Sequence, residues 1–226
     1  MMTLTDRSQQ YFTESCYSKS EMSAASPPSR RKEYAEATRR AIVDAARKLF
    51  SERGYFATKV DDIAATARVA PATVYAVGGG KQGLLGTLVD SWSAAPVVEE
   101  HLRTVEGLDD AQAILREVAK TCCGMRRDYG DIVRTILHTA PHDSEVAETL
   151  TTATGRYRKA LGRVARRLAA LRALRKGIDA EQAVDILWFY FGYSGLFTLV
   201  DDNRWTYERA EQWLYEQASA ALLIAP

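Results

Sequence analysis

The stretch from Arg39 to Leu85 constrains the fold more than any other part of this chain. Ile42, Ala45, Ala46, Leu49 and Phe50 recur at i, i+3, i+4, i+7 and i+8, the spacing of an apolar stripe along one helix face. Arg39, Arg40, Arg47 and Lys48 fall largely off that stripe, and Gly54 suits the end of the helix. Thr58 stands where an N-cap belongs, Asp61 and Asp62 complement the helix dipole, and Val60, Ile63, Ala64 and Ala67 mark the face of a second, short helix. A turn over Ala67-Arg68-Val69-Ala70 leads to Pro71, which suits the first position of a third helix ending near Val77. Two short helices around a tight turn can place the second of them in a DNA major groove.

The glycines that follow admit another reading. Gly78-Gly79-Gly80-Lys81-Gln82-Gly83 is a literal G-x-G-x-x-G, and Thr73–Val77 before it has β propensity. A dinucleotide fold needs several more buried parallel strands, however, and the remaining chain supplies helical stripes instead. Lys81 is followed by Gln82 rather than Ser or Thr, which argues against a P-loop. The glycines are therefore read as a loose joint between two helices.

Charge supports a polyanion-facing module at this end. Between Arg30 and Lys81 eleven basic and six acidic residues leave +5, so a chain of net charge +1 carries −4 elsewhere. Residues 1–32 are polar and serine-rich, with Pro27-Pro28 near the end, and read as a disordered tail. Met22 offers an alternative start, and Arg30-Arg31-Lys32 could serve as a flexible arm along DNA. Three cysteines, Cys16, Cys122 and Cys123, suggest neither a disulfide framework nor a metal site, which favours a reducing cytoplasm. No run approaches the ~18 apolar residues of a membrane span, so no membrane partner is expected.

Beyond the glycines the period stays helical. A long helix from Lys81 to about Arg103, bent or interrupted near Pro96, should be followed by helices over about 109–128, 130–139, 143–175, 179–201 and 206–223. Asp109, Asp143, Asp179 and Thr206 are the expected N-caps. The fold class is all-α: a three-helix, helix-turn-helix domain over 33–81 and a larger helical domain over 82–226.

These residues resemble the N-terminal domain of TetR-family transcriptional regulators. The resemblance rests on Ala45-Ala46, Leu49-Phe50, Gly54-Tyr55, Thr58, Ile63-Ala64, Ala67, Val69, Thr73-Val74-Tyr75, Lys81 and Leu84-Leu85. It implies a homodimer that binds double-stranded, palindromic operator DNA and releases it when a small effector binds. By that likeness Arg39, Thr58, Lys59 and Lys81 would meet phosphates, Tyr75 would pack and touch the backbone, and Pro71, Ala72, Thr73, Ala76 and Val77 would lie near base edges. The chain departs from the family at Arg68, where glycine is usual, at Ala70, where Ser or Thr is usual, and at Gly78 and near Ala76, where aromatics are common. Those departures motivate an alternative: a helical small-molecule-binding or signalling dimer with weak or lost specific DNA binding.

The resemblance also implies an effector pocket in the middle helices and a dimer interface on the last two long ones. Ala183–Val200 is apolar nearly all round, and Tyr207, Ala210, Trp213, Leu214 and Ala218 give the next helix a matching stripe. Candidate effector residues are Trp92, Cys122, Met125, Tyr129, His138, Trp188, Tyr190 and Tyr193, which favour a hydrophobic or aromatic effector. Arg126-Arg127 and Arg166-Arg167 read as solvated helix faces. His101, His138 and His142 sit in no catalytic or metal-binding motif, so neither an enzyme nor a cofactor is expected.

Overall fold

A computed structural model describes residues 30–94 and 96–224. The expectations for residues 1–29, including Cys16, Met22 and Pro27-Pro28, lie outside the described residues. The chain forms two compact units, which divide between Leu88 and Val89. Among the described residues every regular element is helical, and the sole β feature is an isolated antiparallel bridge between Leu174 and Leu223.

The first unit follows its apolar spacing closely. Helix α1 (Arg30–Arg53) buries Ile42, Ala45, Ala46, Leu49 and Phe50, the five residues of the stripe. Arg30-Arg31-Lys32 lie in this helix rather than in a flexible arm. Gly54, at φ 81°, ends it. Helix α2 (Val60–Ala67) buries Ile63 and Ala64, and α3 (Pro71–Gly78) buries Val74. Phe50, Ile42, Ile63, Leu84 and Leu85 are among the largest fully buried side chains, each contributing about 1.5–3 kcal/mol on burial.

Helix α4 (Gly80–Ser93) runs across the division between the units. It stops before Pro96, which opens α5 (Pro96–Gly107), so of the two expectations there the interruption holds rather than the bend. The second unit continues with α6 (Ala111–Thr139), a 3₁₀ turn (Ala140–His142), α7 (Ser144–Ala170), α8 (Ala180–Phe191), α9 (Tyr193–Phe197), a π-helical turn (Thr198–Asp202) and α10 (Tyr207–Leu222). Its core gathers Ile114, Leu115, Val118, Leu168, Leu187 and Leu222 from α6, α7, α8 and α10.

Three boundaries differ from the sequence expectation. Gly130 does not split α6, whose 29 residues run through it. A Cβ at Gly130 would lie 2.7 Å from Nη1 of Arg134, whose guanidinium stacks 3.9 Å from the Phe197 ring centroid and clasps Asp201. The glycine leaves room for that arginine, and this packing outweighs the weak helix preference of glycine. Helix α7 ends at Ala170 because Arg172 turns left-handed at φ 55° and the Ala173 N–H bonds back to the Leu168 carbonyl. The apolar run after Asp179 breaks at Gly192, where a Cβ would meet the Trp188 carbonyl oxygen at 2.4 Å. Capping follows expectation at Asp143, Asp179 and Thr206, but Asp110 rather than Asp109 caps α6, and Asp109 pairs with Arg167 instead.

The 23 residues Ala180–Asp202 are long enough to cross a membrane and contain an 18-residue window with a mean hydropathy of 1.4, contrary to the expectation that no run comes close. They do not form one straight helix. The segment breaks at Gly192, buries Leu187, Phe191 and Leu196 in the helical core, and carries Asp185 and Asp201 in ion pairs with Arg158 and Arg134.

Candidate nucleic-acid interface and ligand cavity

The first unit holds α3 by three local devices. Arg68 ends α2 at φ 58°, and the Val69 N–H returns to the Ala64 carbonyl at 3.0 Å. Pro71 opens α3 and Gly79, at φ 67°, closes it. Arg39 reaches from α1 to the far end of α3, its Nη1 donating to the Val77 carbonyl at 3.2 Å. With Val74 turned into the core, Pro71, Ala72, Tyr75 and Ala76 are exposed, Tyr75 by 60%. Thr73 and Val77 are half-buried. The exposed face is therefore small and nearly free of side-chain donors, which suits close approach to a groove wall and thymine methyl contacts.

Thr58 does not cap α2. It is 1% exposed, and its hydroxyl donates to the carbonyls of Leu49 at 3.2 Å and Gly54 at 2.8 Å, tying the loop to the end of α1. Lys59 takes the N-cap position with its side chain exposed, and its backbone N–H donates to Asp62 Oδ2 at 3.2 Å. Lys81 is half-buried: its Nζ lies 4.4 Å from the Tyr55 ring centroid and donates to the Tyr55 carbonyl at 2.7 Å.

The glycine joint is close-packed rather than loose. A Cβ on Gly83 would lie 2.0 Å from the Gly78 carbonyl oxygen, and one on Gly78 would lie 2.5 Å from Leu84 Cδ2. Leu84 occupies the space beside Gly78, and the Tyr75 ring lies over Gly80. Gly79 and Gly80 both have positive φ, so the sharp step between α3 and α4 needs glycine.

The second unit encloses a cavity of about 100 Å³ among α4, α5, α6 and α7. Of the expected effector residues, Trp92, Cys122 and Met125 line it. Trp188 and Tyr193 do not line it but join Tyr157 in one aromatic cluster, with ring centroids 5.2 to 6.0 Å apart. Tyr157 is a lining residue, and its hydroxyl donates to the Phe191 carbonyl exposed by the break at Gly192, at 2.6 Å. Tyr129 and Tyr190 are half-buried and His138 is exposed, all three outside the lining.

Sequence reasoning missed Arg126. It lies next to Arg127 on α6, and two adjacent arginines read as a solvated face. Arg127 is exposed and pairs with Glu208, but Arg126 is 3% exposed, lines the cavity and sits over the rings of Tyr193 and Tyr157, at 5.0 and 5.4 Å. The helical period supplied the missing signal: Cys122, Met125, Arg126 and Tyr129 share the inward side of α6, so Arg126 belongs to the face assigned to the pocket. His101, also in the lining, meets Thr121 Oγ1 through Nδ1 at 2.8 Å, with Glu117 at 3.4 Å. Burial pulls its pKa below the ordinary value, against the opposing pull of Glu117.

Residues 42–88 match the family described as bacterial regulatory proteins, tetR family. A search of curated proteins finds no match. Among solved structures the chain is similar to a SmeT–triclosan complex, at 21% identity and a TM-score of 0.70, covering 83% of this chain and 92% of that one. A transcriptional regulator FadR from Bacillus subtilis in complex with stearoyl-CoA is 17% identical with a TM-score of 0.69, covering 80% and 98%. A putative transcriptional regulator from Saccharomonospora viridis in complex with choline is 16% identical with a TM-score of 0.69, covering 84% and 100%. Residues 42–88 thus carry the tetR-family helix-turn-helix pattern, and the chain as a whole has the fold of TetR-family transcriptional regulators.

Proposed function

We propose that this chain is a ligand-responsive transcriptional repressor that binds palindromic operator DNA as a homodimer. The observation that carries the reading is α3: its exposed face sets small residues around Tyr75, and α1, α2 and the glycine step hold it in place. Arg39, Lys59, Tyr75 and Lys81 surround that face as phosphate partners, with the backbone N–H groups at the starts of α2 and α4. Thr58 contributes by fixing the α2 start rather than by its buried hydroxyl. Pro71, Ala72, Thr73, Ala76 and Val77 approach base edges, and specificity draws on methyl contacts and DNA shape.

The effector site of this reading is the cavity of the second unit. Helix α4 carries Lys81 near its first turn and Trp92, a cavity residue, near its last. A ligand that favours one setting of Trp92 therefore biases the helix that bears the DNA contacts. Two recognition helices about 34 Å apart fit one DNA turn, and an effector that favours another spacing releases the operator. Fluorescence anisotropy with DNA from the region upstream of the chain's own gene tests this. Tight, salt-sensitive binding at low salt is expected, and no binding would refute it.

The second reading, a signalling dimer without specific DNA binding, is favoured by the strained Arg68 at the turn. It requires that replacing Tyr75 and Lys81 with alanine leave promoter regulation unchanged.

A further inference from the structure

Among the described residues Arg126 is the one charged side chain that is buried. Its Nε and Nη2 have no hydrogen-bond partner. Those two nitrogens form one edge of the guanidinium, and that edge matches the two oxygens of a carboxylate. The chain uses the same edge elsewhere for that purpose. Nε and Nη2 of Arg134 clasp Asp201 at 2.9 and 2.7 Å, and those of Arg163 clasp Glu106 at 2.6 and 2.8 Å. Both of those pairs are partly exposed, where an unpaired arginine would cost little. Arg126 is buried, where an unpaired charge is far more costly.

The neighbours of Arg126 do not neutralise it. Cys122, Tyr157 and Tyr193 face it, and burial pushes all three toward their neutral forms. The other arginine of the lining, Arg156, already pairs with Asp90. Two more orphaned polar atoms belong to residues that line the same cavity, Trp92 Nε1 and His101 Nε2. Three residues that line one small cavity thus carry four such nitrogens, just behind a surface that is almost wholly apolar.

From this juxtaposition we infer that the cavity takes a small apolar carboxylic acid, its carboxylate held by Nε and Nη2 of Arg126. The inference rests on the reading of the cavity as the effector site. The Trp92 N–H gives the acid a further donor, and Leu102, Met125 and Leu161 surround its hydrocarbon part. The volume of about 100 Å³ is near that of cavities of roughly 150 Å³ that hold benzene, so a single ring or a short chain fits. The Arg126 nitrogens are fully covered, so binding requires the side chain to turn into the cavity it lines. A cationic ligand is disfavoured, because the guanidinium itself occupies the faces of Tyr157 and Tyr193.

Isothermal titration of the full chain with benzoate and hexanoate, against benzamide, hexanamide and choline, tests the inference. At least one acid should bind at least about tenfold more tightly than its own amide, choline should not bind, and R126M should abolish the difference between acid and amide. R126K, which keeps the charge but loses the two-pronged edge, should fall between. A circular-dichroism melt checks that the variants fold, and the acid–amide comparison on the wild type decides if they do not. Equal binding of acids and amides, binding of choline in place of the acids, undiminished acid binding by folded R126M, or no binding of either acid at millimolar concentration would each overturn it. The same acids are then added to the DNA complex. Acid binding that leaves DNA affinity unchanged would keep the acid site and refute only its role as effector site.

Discussion

The Cα of Gly83 packs against the carbonyl oxygen of Gly78, so closely that a Cβ there would lie 2.0 Å from that oxygen. This contact fixes the end of α3 against the start of α4. G83A must push the two apart, an overpacking cost of about 1–3 kcal/mol. Thermal melting should show a loss of that size, together with weakened DNA binding. A variant that melts and binds like the wild type would show that the joint gives way easily.

Arg68 holds a left-handed conformation that costs a non-glycine residue roughly 1–2 kcal/mol. Part of that is recovered by R68G, because glycine also gains freedom in the unfolded chain. Denaturant unfolding of R68G should show stabilisation of about 0.5–1 kcal/mol. Destabilisation would mean that the Arg68 side chain makes contacts that outweigh the strain.

The first unit was legible because its signals are local. Stripe spacing named the five buried residues of α1, and proline and glycine marked the ends of α3. What the sequence hid was decided between distant residues. Thr58 looks like a cap until Leu49 and Gly54 present carbonyls to it. Gly78 to Gly83 look loose until Leu84 and the backbone of α3 fill the space. Residues 109–139 look like two helices, yet α6 runs unbroken through Gly130, with the Arg134 guanidinium and the Phe197 ring packed beside it. Of the expected effector residues, Trp92, Cys122 and Met125 meet at one cavity, whereas Arg126 was hidden by its resemblance to its solvated neighbour.

Lys81 serves two purposes in this account, and K81A separates them. Losing its bond to the Tyr55 carbonyl and its place over the Tyr55 ring should lower stability by about 1 kcal/mol. Losing a phosphate contact should flatten the dependence of log affinity on log salt by about one unit. An unchanged salt slope would remove Lys81 from the DNA interface.

His101 titrates below its ordinary value of 6.5 because burial disfavours its charged form, while Glu117 pulls the other way and Lys120 adds to the lowering. The unfolded chain therefore takes up the proton first as pH falls. The His101 contribution to stability is fully present above about pH 6.5 and declines below it. Melting temperatures should fall from pH 7 toward pH 5.5, and H101Q should flatten that part of the profile. A wild-type profile that is level there would contradict the buried, neutral state of His101.

Selection of bound duplexes from a random DNA pool decides whether α3 reads DNA. A homodimeric reader with one α3 per subunit should enrich an inverted repeat whose half-sites lie about ten base pairs apart, centre to centre. Joint replacement of Thr73 and Tyr75 with alanine should abolish the enrichment while the protein stays folded. A pool that shows no enriched motif, or the same motif with and without those side chains, would contradict the assignment of α3 as the reading helix.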